Sequence, residues 1–155
     1  MKTLGLVTIV LVLECALPRL GISRVPVTYL RNLVTRADWI LIGEVFAIED
    51  TKDQNEHKAP VKIAKIRPLV FIKGTGEPEF SVKFMPTRSE EPDFVLEERF
   101  LLFLRKTAQG PQVLVGHLGA LMVKNKMVST WEISGEPETQ SLDTIIEKIK
   151  NILKK

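Results

Sequence analysis

Apolar positions along this chain change rhythm several times, and each change marks an element. Tyr29, Leu30, Leu33, Val34 and Ala37 recur at helical spacing, with Arg31, Asn32, Thr35 and Arg36 between them. The spacing predicts a short helix that Pro26 and Thr28 open and Asp38 ends, with Thr28 as its cap. Trp39 to Ile48 (WILIGEVFAI) is the most continuous apolar run after the N-terminal leader, interrupted only by Gly43 and Glu44. It reads as a strand covered on both faces in its first half, the preceding helix covering the outer one. Gly43 within it marks a bulge or sharp bend.

Asp50 to Ala59 is polar and reads as a hairpin loop. Val61 to Lys73 follows as a second strand whose apolar phase slips after Ile63, the signature of a bulge in a curved strand. Pro68 cannot donate to a ladder, so it belongs on an edge or at the bend. Gly74 and Gly76 make a turn. Phe80, Val82 and Phe84 alternate with Ser81, Lys83 and Met85, predicting a third strand with one wet face, stopped by Pro86. Thr87 to Glu98 is a charged loop. Phe100 to Arg105 (FLLFLR) is apolar on both faces and so central. Gln112 to Val115, Ala120 to Val123 and Met127 to Trp131 are shorter strand candidates, separated by Gly116, Gly119 and an Asn125 turn.

An amphipathic helix closes the chain. Ser141 caps it, Asp143 lies in its first turn and Lys154 and Lys155 at its end, as the helix dipole favours. Leu142, Ile145, Ile146, Ile149, Ile152 and Leu153 form one apolar stripe, suited to a lid over the strands. A short helix, curved strands and a closing helix predict a mainly β (α+β) domain. The expected form is an OB-fold-like barrel, closed or partly open, of roughly five to seven strands.

Three segments carry a family resemblance: RADWILIGEVFAIED, VKIAKIRPLVFIKG and RFLLFLRKT, ahead of a Gly-rich strand pair and a closing helix. The chain resembles uncharacterised exported bacterial proteins whose barrel is like that of tissue inhibitors of metalloproteinases and netrin modules. The matching positions are Ala37, Asp38 and Gly43, then Lys73 and Gly74, then Phe100 to Leu104. The resemblance implies the barrel, and no activity comes with a fold. Tissue inhibitors chelate the protease zinc through a mature N-terminal cysteine pinned by disulfides. Only Cys15 could take that part here, and there is no second cysteine to pin it.

The N-terminus bears on where the protein works. Lys2 precedes an uncharged apolar run, Leu4 to Leu13, which Glu14, Pro18 and Arg19 end, the pattern of a secretory signal peptide. The run falls short of the roughly 20 residues that a spanning helix needs. Gly21 and Ser23 are suitably small for cleavage before Arg24. The expected organisation is therefore a signal peptide over residues 1–23 and one domain over 24–155, secreted or periplasmic. Cys15 is the alternative, a lipoprotein anchor, although Glu14 stands where that motif requires a small residue. A lone cysteine allows no intramolecular disulfide, so the core must hold the domain unaided.

Composition narrows the function classes. The chain has 155 residues, is 45% hydrophobic and carries a formal charge of +3, a mixed surface and not a nucleic-acid footprint. His57 and His117 have no cysteine or paired histidine for a zinc site, and no other metal, cofactor or catalytic constellation is expected. Ser89, Ser129 and Ser134 lie in no nucleophile elbow, and the KGTGEP turn lacks the remainder of a dinucleotide fingerprint. Glu90, Glu91, Asp93, Glu97 and Glu98 concentrate in one loop, without the order of a calcium loop. The expected function is a non-catalytic interaction module using that loop and Asp50 to Ala59, with another exported or envelope protein as partner. The alternatives are an envelope-associated binder of a small ligand or saccharide, and a protease inhibitor.

Overall fold

Residue pairing across one long antiparallel sheet organises the molecule. A computed structural model of the protein describes residues 27–54, 59–131 and 137–155. In chain order the elements are α1 (Val27–Arg36), β1 (Trp39–Gln54), β2 (Pro60–Lys73), β3 (Phe80–Phe84), β4 (Arg99–Thr107), β5 (Gly110–Val113), β6 (Ala120–Lys124), β7 (Met127–Trp131), β8 (Pro137–Ser141) and α2 (Leu142–Leu153). A single 3₁₀ turn, Gly116–Gly119, leads into β6. The strand order is β3-β2-β1-β4-β6-β7-β8, with β5 on the edge of β4 beside β6. The expected signal peptide with its cleavage before Arg24, and Cys15, fall outside the described residues, as does His57. Among the described residues no helix is long and apolar enough to cross a membrane.

The doubly apolar pattern of β4 records cover on both faces. Phe100, Leu102 and Leu104 join Leu41, Val45, Ile66, Phe80 and Val82 in an inner core. Leu101 and Phe103 face the other way, onto Leu33 and Val34 of α1, Ala37 just after it, and Ile145 and Ile149 of α2. The two helices therefore share the outer face, as their stripes predict. Ser141 caps α2, its Oγ accepting the Thr144 N–H at 3.1 Å. Among the described residues α1 runs from Val27, which puts Thr28 within the helix and not at its cap.

Asp38, Lys73 with Gly74, and Leu104, from three separate segments of the chain, meet at one corner. The Asp38 N–H donates to the Leu104 carbonyl at 2.8 Å, and the Asp38 carboxylate accepts the Lys106 N–H at 2.6 Å. Asp38 thus clamps the start of β1 to β4. Lys73 Nζ donates to the Val34 carbonyl at 2.9 Å, placing a cation on the C-terminal end of α1, where the helix dipole favours it. Gly74 has φ +76°, and a Cβ there would meet Trp39 Cδ1 at 2.6 Å and the Asp38 carbonyl at 2.7 Å. Only glycine suits both demands.

Curvature comes from β1 and β2. Their register shifts at Ile40/Leu41, Ile42/Gly43, Val45/Ala47 and Asp50/Gln54. Gly43 stands at one of these shifts, paired with Pro68. Pro68 lies beyond Ile66, the last β2 residue that β3 pairs with, so its missing donor falls on an open edge. The curl carries β3 to within 8 Å of β5, Cα to Cα, but no ladder joins them. The sheet is open, not a closed barrel. Its would-be closing strands are short: Pro86 follows β3, and β5 has four residues including the donorless Pro111.

Two further corrections concern strands. The sheet has eight, one more than the upper expectation, the addition being β8, whose PETQS sequence carries no apolar alternation. The polar stretch from Asp50 is not all loop, since β1 continues to Gln54 opposite Pro60. Thr51 Oγ1 reaches across to the Val61 carbonyl at 2.7 Å, supporting a ribbon that has little core beneath it.

Candidate binding surface

Where β3 ends, two successive turns reverse the chain. The Arg88 N–H donates to the Met85 carbonyl and the Glu91 N–H to the Arg88 carbonyl, each at 3.1 Å. They bring Glu91 back over the end of β3, where its carboxylate accepts a backbone hydrogen bond from Met85. Burial there pushes the Glu91 carboxyl above the ordinary glutamate range, and neighbouring Glu90 adds to the rise. Arg88 and the Met85 hydrogen bond oppose it.

Pro92 is buried, and Phe94 then drops into the inner core. Its ring meets those of Phe84 and Phe100 edge-on, each at 5.2 Å between centroids. Beyond it Glu97, at φ 65°, donates its N–H to the Val45 carbonyl at 2.7 Å, and the Glu98 carbonyl accepts from Val45 at 3.0 Å. The Glu98 carboxylate lies 3.8 Å from Lys124 Nζ. The loop is therefore pinned at its middle and at its far end.

The five acidic residues consequently do not converge. Glu90 and Glu91 lie beside the β3–β5 seam, Asp93 points outward, and Glu97 and Glu98 lie against β1. Among the described residues no three His, Cys, Asp or Glu side chains form a group that could hold a metal ion.

A half-open groove of about 340 Å³ runs along the β3–β5 seam. Its apolar lining includes Val61, Phe84 and Val113, and its polar lining Glu91, Gln109 and Gln112. The volume is within the range of small-ligand sites. The seam itself is too narrow for an inserted strand, which requires roughly 9.6 Å between its neighbours, against approaches within 8 Å here. Lys83 also lines the groove and ion-pairs with Asp53 at 3.2 Å. Of the two loops singled out in the sequence, Thr87 to Glu98 supplies Glu91 and Pro92 to this groove, and Asp50 to Ala59 reaches it only through the Asp53–Lys83 pair. Residues 55–58 of the latter lie outside the described residues.

The opposite bank is the 3₁₀ turn after β5. The His117 N–H donates to the Glu90 carbonyl at 3.0 Å. Gly116 sits so close to that carbonyl that a Cβ would collide with it, and its φ is +56°. Val115 before it adopts φ 55°, a rare conformation for a β-branched residue. Sequence reasoning treated Gly116 as a strand separator and passed over Gln109 and Gln112. No local pattern marks those glutamines, because only the sheet curl brings them opposite Glu91. Compared with known proteins, the chain matches no protein-family model and no curated protein.

Proposed function

We propose that the protein is an exported, non-catalytic binding module that recognises another secreted or envelope protein through the β3–β5 groove and the two polar loops. The curled sheet is, on this reading, an opened OB-type barrel resembling that of tissue inhibitors of metalloproteinases and netrin modules. The observation that supports it is the placement of Glu91, Gln109 and Gln112 around one groove, whose Lys83 is ion-paired with Asp53 of the other polar loop. Groups of this kind orient a polypeptide by hydrogen bonds while Val61, Phe84 and Val113 supply apolar contact. The groove volume supports a second reading, a small polar ligand or saccharide held in the same place.

Deleting Thr87 to Glu98 would not test this cleanly, because Phe94 would leave the core with it. A photo-crosslinking residue at Gln112, with a control at Lys148 on α2, avoids that fault. In cells expressing either variant, the Gln112 probe is expected to give a discrete protein adduct that the Lys148 probe does not, and Glu91→Lys is expected to abolish it. Native mass spectrometry of the purified protein reads the second possibility, a co-purifying small molecule lost with Glu91→Lys. Identical adducts from both probes and no co-purifying molecule would refute the assignment of the groove.

A further inference from the structure

Seven large apolar side chains are exposed among the described residues, and four of them fall in two adjacent pairs. Leu69 and Val70 are 43% and 51% exposed, on the edge half of β2 that β3 leaves unpaired. Val95 and Leu96 are 40% and 50% exposed, in the second half of the acidic loop. The pairs carry opposite charge fringes. Arg67 precedes the first pair, its guanidinium 5.0 Å above the Phe46 ring, with no carboxylate in ion-pair range among the described residues. Asp93 and Glu97 bracket the second, and neither has an ion pair among the described residues.

Both pairs flank the same stretch of β1. On one side Gly43 pairs with Pro68 and Ile42 with Val70. On the other, Val45 exchanges hydrogen bonds with Glu97 and Glu98. Between them Phe46 is skipped by the β1–β2 register and remains half-buried. An apolar–acidic patch and an apolar–basic patch thus lie side by side about one bulged aromatic residue.

We infer that this surface binds a second copy of the chain across a two-fold axis near Phe46. Residues 95–97 of each copy then cover Leu69 and Val70 of the other, and Glu97 meets Arg67 twice. Isologous pairing of this kind requires self-complementary patches, and the two sides of this stretch of β1 carry an apolar–basic and an apolar–acidic one. An unrelated acidic partner would leave Val95 and Leu96 uncovered, whereas a second copy covers both pairs. The pairing uses the far half of the loop and leaves the groove free, so it does not depend on the function proposed above.

Charge reversal tests it. Sedimentation equilibrium of the protein as the cell processes it, its N-terminus established by mass spectrometry, is expected to show a monomer–dimer equilibrium that weakens with added salt. Arg67→Glu alone and Glu97→Lys alone each turn two attractive contacts into repulsions, and each is expected to weaken dimerisation at least about tenfold. Mixing the two variants restores complementarity at both contacts, so the mixture is expected to dimerise as the wild type does. Val70→Asp, with no charge partner, is expected to weaken the dimer and not be rescued by mixing. Circular dichroism establishes that each variant is folded. A wild-type protein monomeric up to about 1 mM would overturn the inference. So would assembly beyond a dimer, dimerisation indifferent to the reversals, or a mixture that fails to recover.

Discussion

A single methyl group at position 43 should measure how tightly the bend of β1 is packed. Built onto Gly43, a Cβ lies 2.5 Å from Ile66 Cγ2, 3.0 Å from Leu41 Cδ1 and 3.4 Å from the Arg67 carbonyl. Carbon atoms in good contact sit about 3.5–4.0 Å apart, so the first two approaches are repulsive. Neither neighbour can swing away, since Ile66 and Leu41 are both fully buried. Gly43→Ala is therefore expected to destabilise the protein by about 1–3 kcal/mol, the usual range for overpacking, and Gly43→Val by more. Urea unfolding followed by tryptophan fluorescence measures it, as a lower midpoint at unchanged slope. The causal atom can be isolated. Ile66→Leu moves the branch from Cβ to Cγ, removing the Cγ2 that blocks position 43, and alone should cost under about 1.5 kcal/mol. In that background Gly43→Ala should lose most of its penalty, a coupling of at least about 1 kcal/mol. A neutral Gly43→Ala, or the same penalty in both backgrounds, would refute the steric account of the bend.

Phe94→Ala should cost about 3–5 kcal/mol in the same unfolding assay despite lying in a charged loop, whereas Asp93→Ala should fall within about 0.5 kcal/mol. Equal effects would show that the loop is not anchored by the ring. Lys126 occupies the second position of a two-residue hairpin turn at φ 61°, after Asn125 at φ 50°. Lys126→Gly should raise stability by about 0.5–1 kcal/mol in a thermal melt, and a loss would contradict the turn geometry. For Glu91, burial raises the folded pKa above the unfolded value of about 4.3, so between the two the native state holds more proton. Its contribution is greatest below about pH 4 and is lost as pH rises through the raised folded pKa. Glu91→Gln should therefore be more stable than wild type at pH 7, with the gap closing near pH 4. A gap that widens on acidification would reverse the sign and sink the burial argument.

Some of the fold was legible because periodicity records cover. The FLLFLR run is apolar on both faces because one face meets the inner core and the other meets two helices. Phe80, Val82 and Phe84 alternate because β3 has one wet face, and the α2 stripe reads as a lid because Ile145 and Ile149 lie beneath it. Such patterns are silent where backbone bonds alone make the element. Pro137–Ser141 joins β7 through the ladder without an apolar alternation to announce it. The distal part of β1 is polar for the same reason, being a two-stranded ribbon that extends past the core. Whether the curl closes depends on where four register shifts accumulate, a property of pairing between β1 and β2 that neither strand encodes alone.

The charged loop shows the same division at the level of the site. Its composition correctly placed it at the surface, but one aromatic residue in its middle decides its shape. With Phe94 seated between Phe84 and Phe100, Glu91 before it lines the groove, while the backbone of Glu97 and Glu98 after it is bonded to β1. Five acids within nine residues look like one cluster in sequence, and the ring separates them into two surfaces. A cation would need them together, whereas recognition of a polypeptide can use them apart. Glu91 then gains its raised pKa from burial beside the groove, while exposed Glu97 has no ion pair among the described residues and can meet a cation across an interface. The two experiments above address these surfaces separately: a probe at Gln112 reads the groove, and charge reversal at Arg67 and Glu97 reads the β1 face. Loss of one response with retention of the other would show that Phe94 divides the loop functionally as well as structurally.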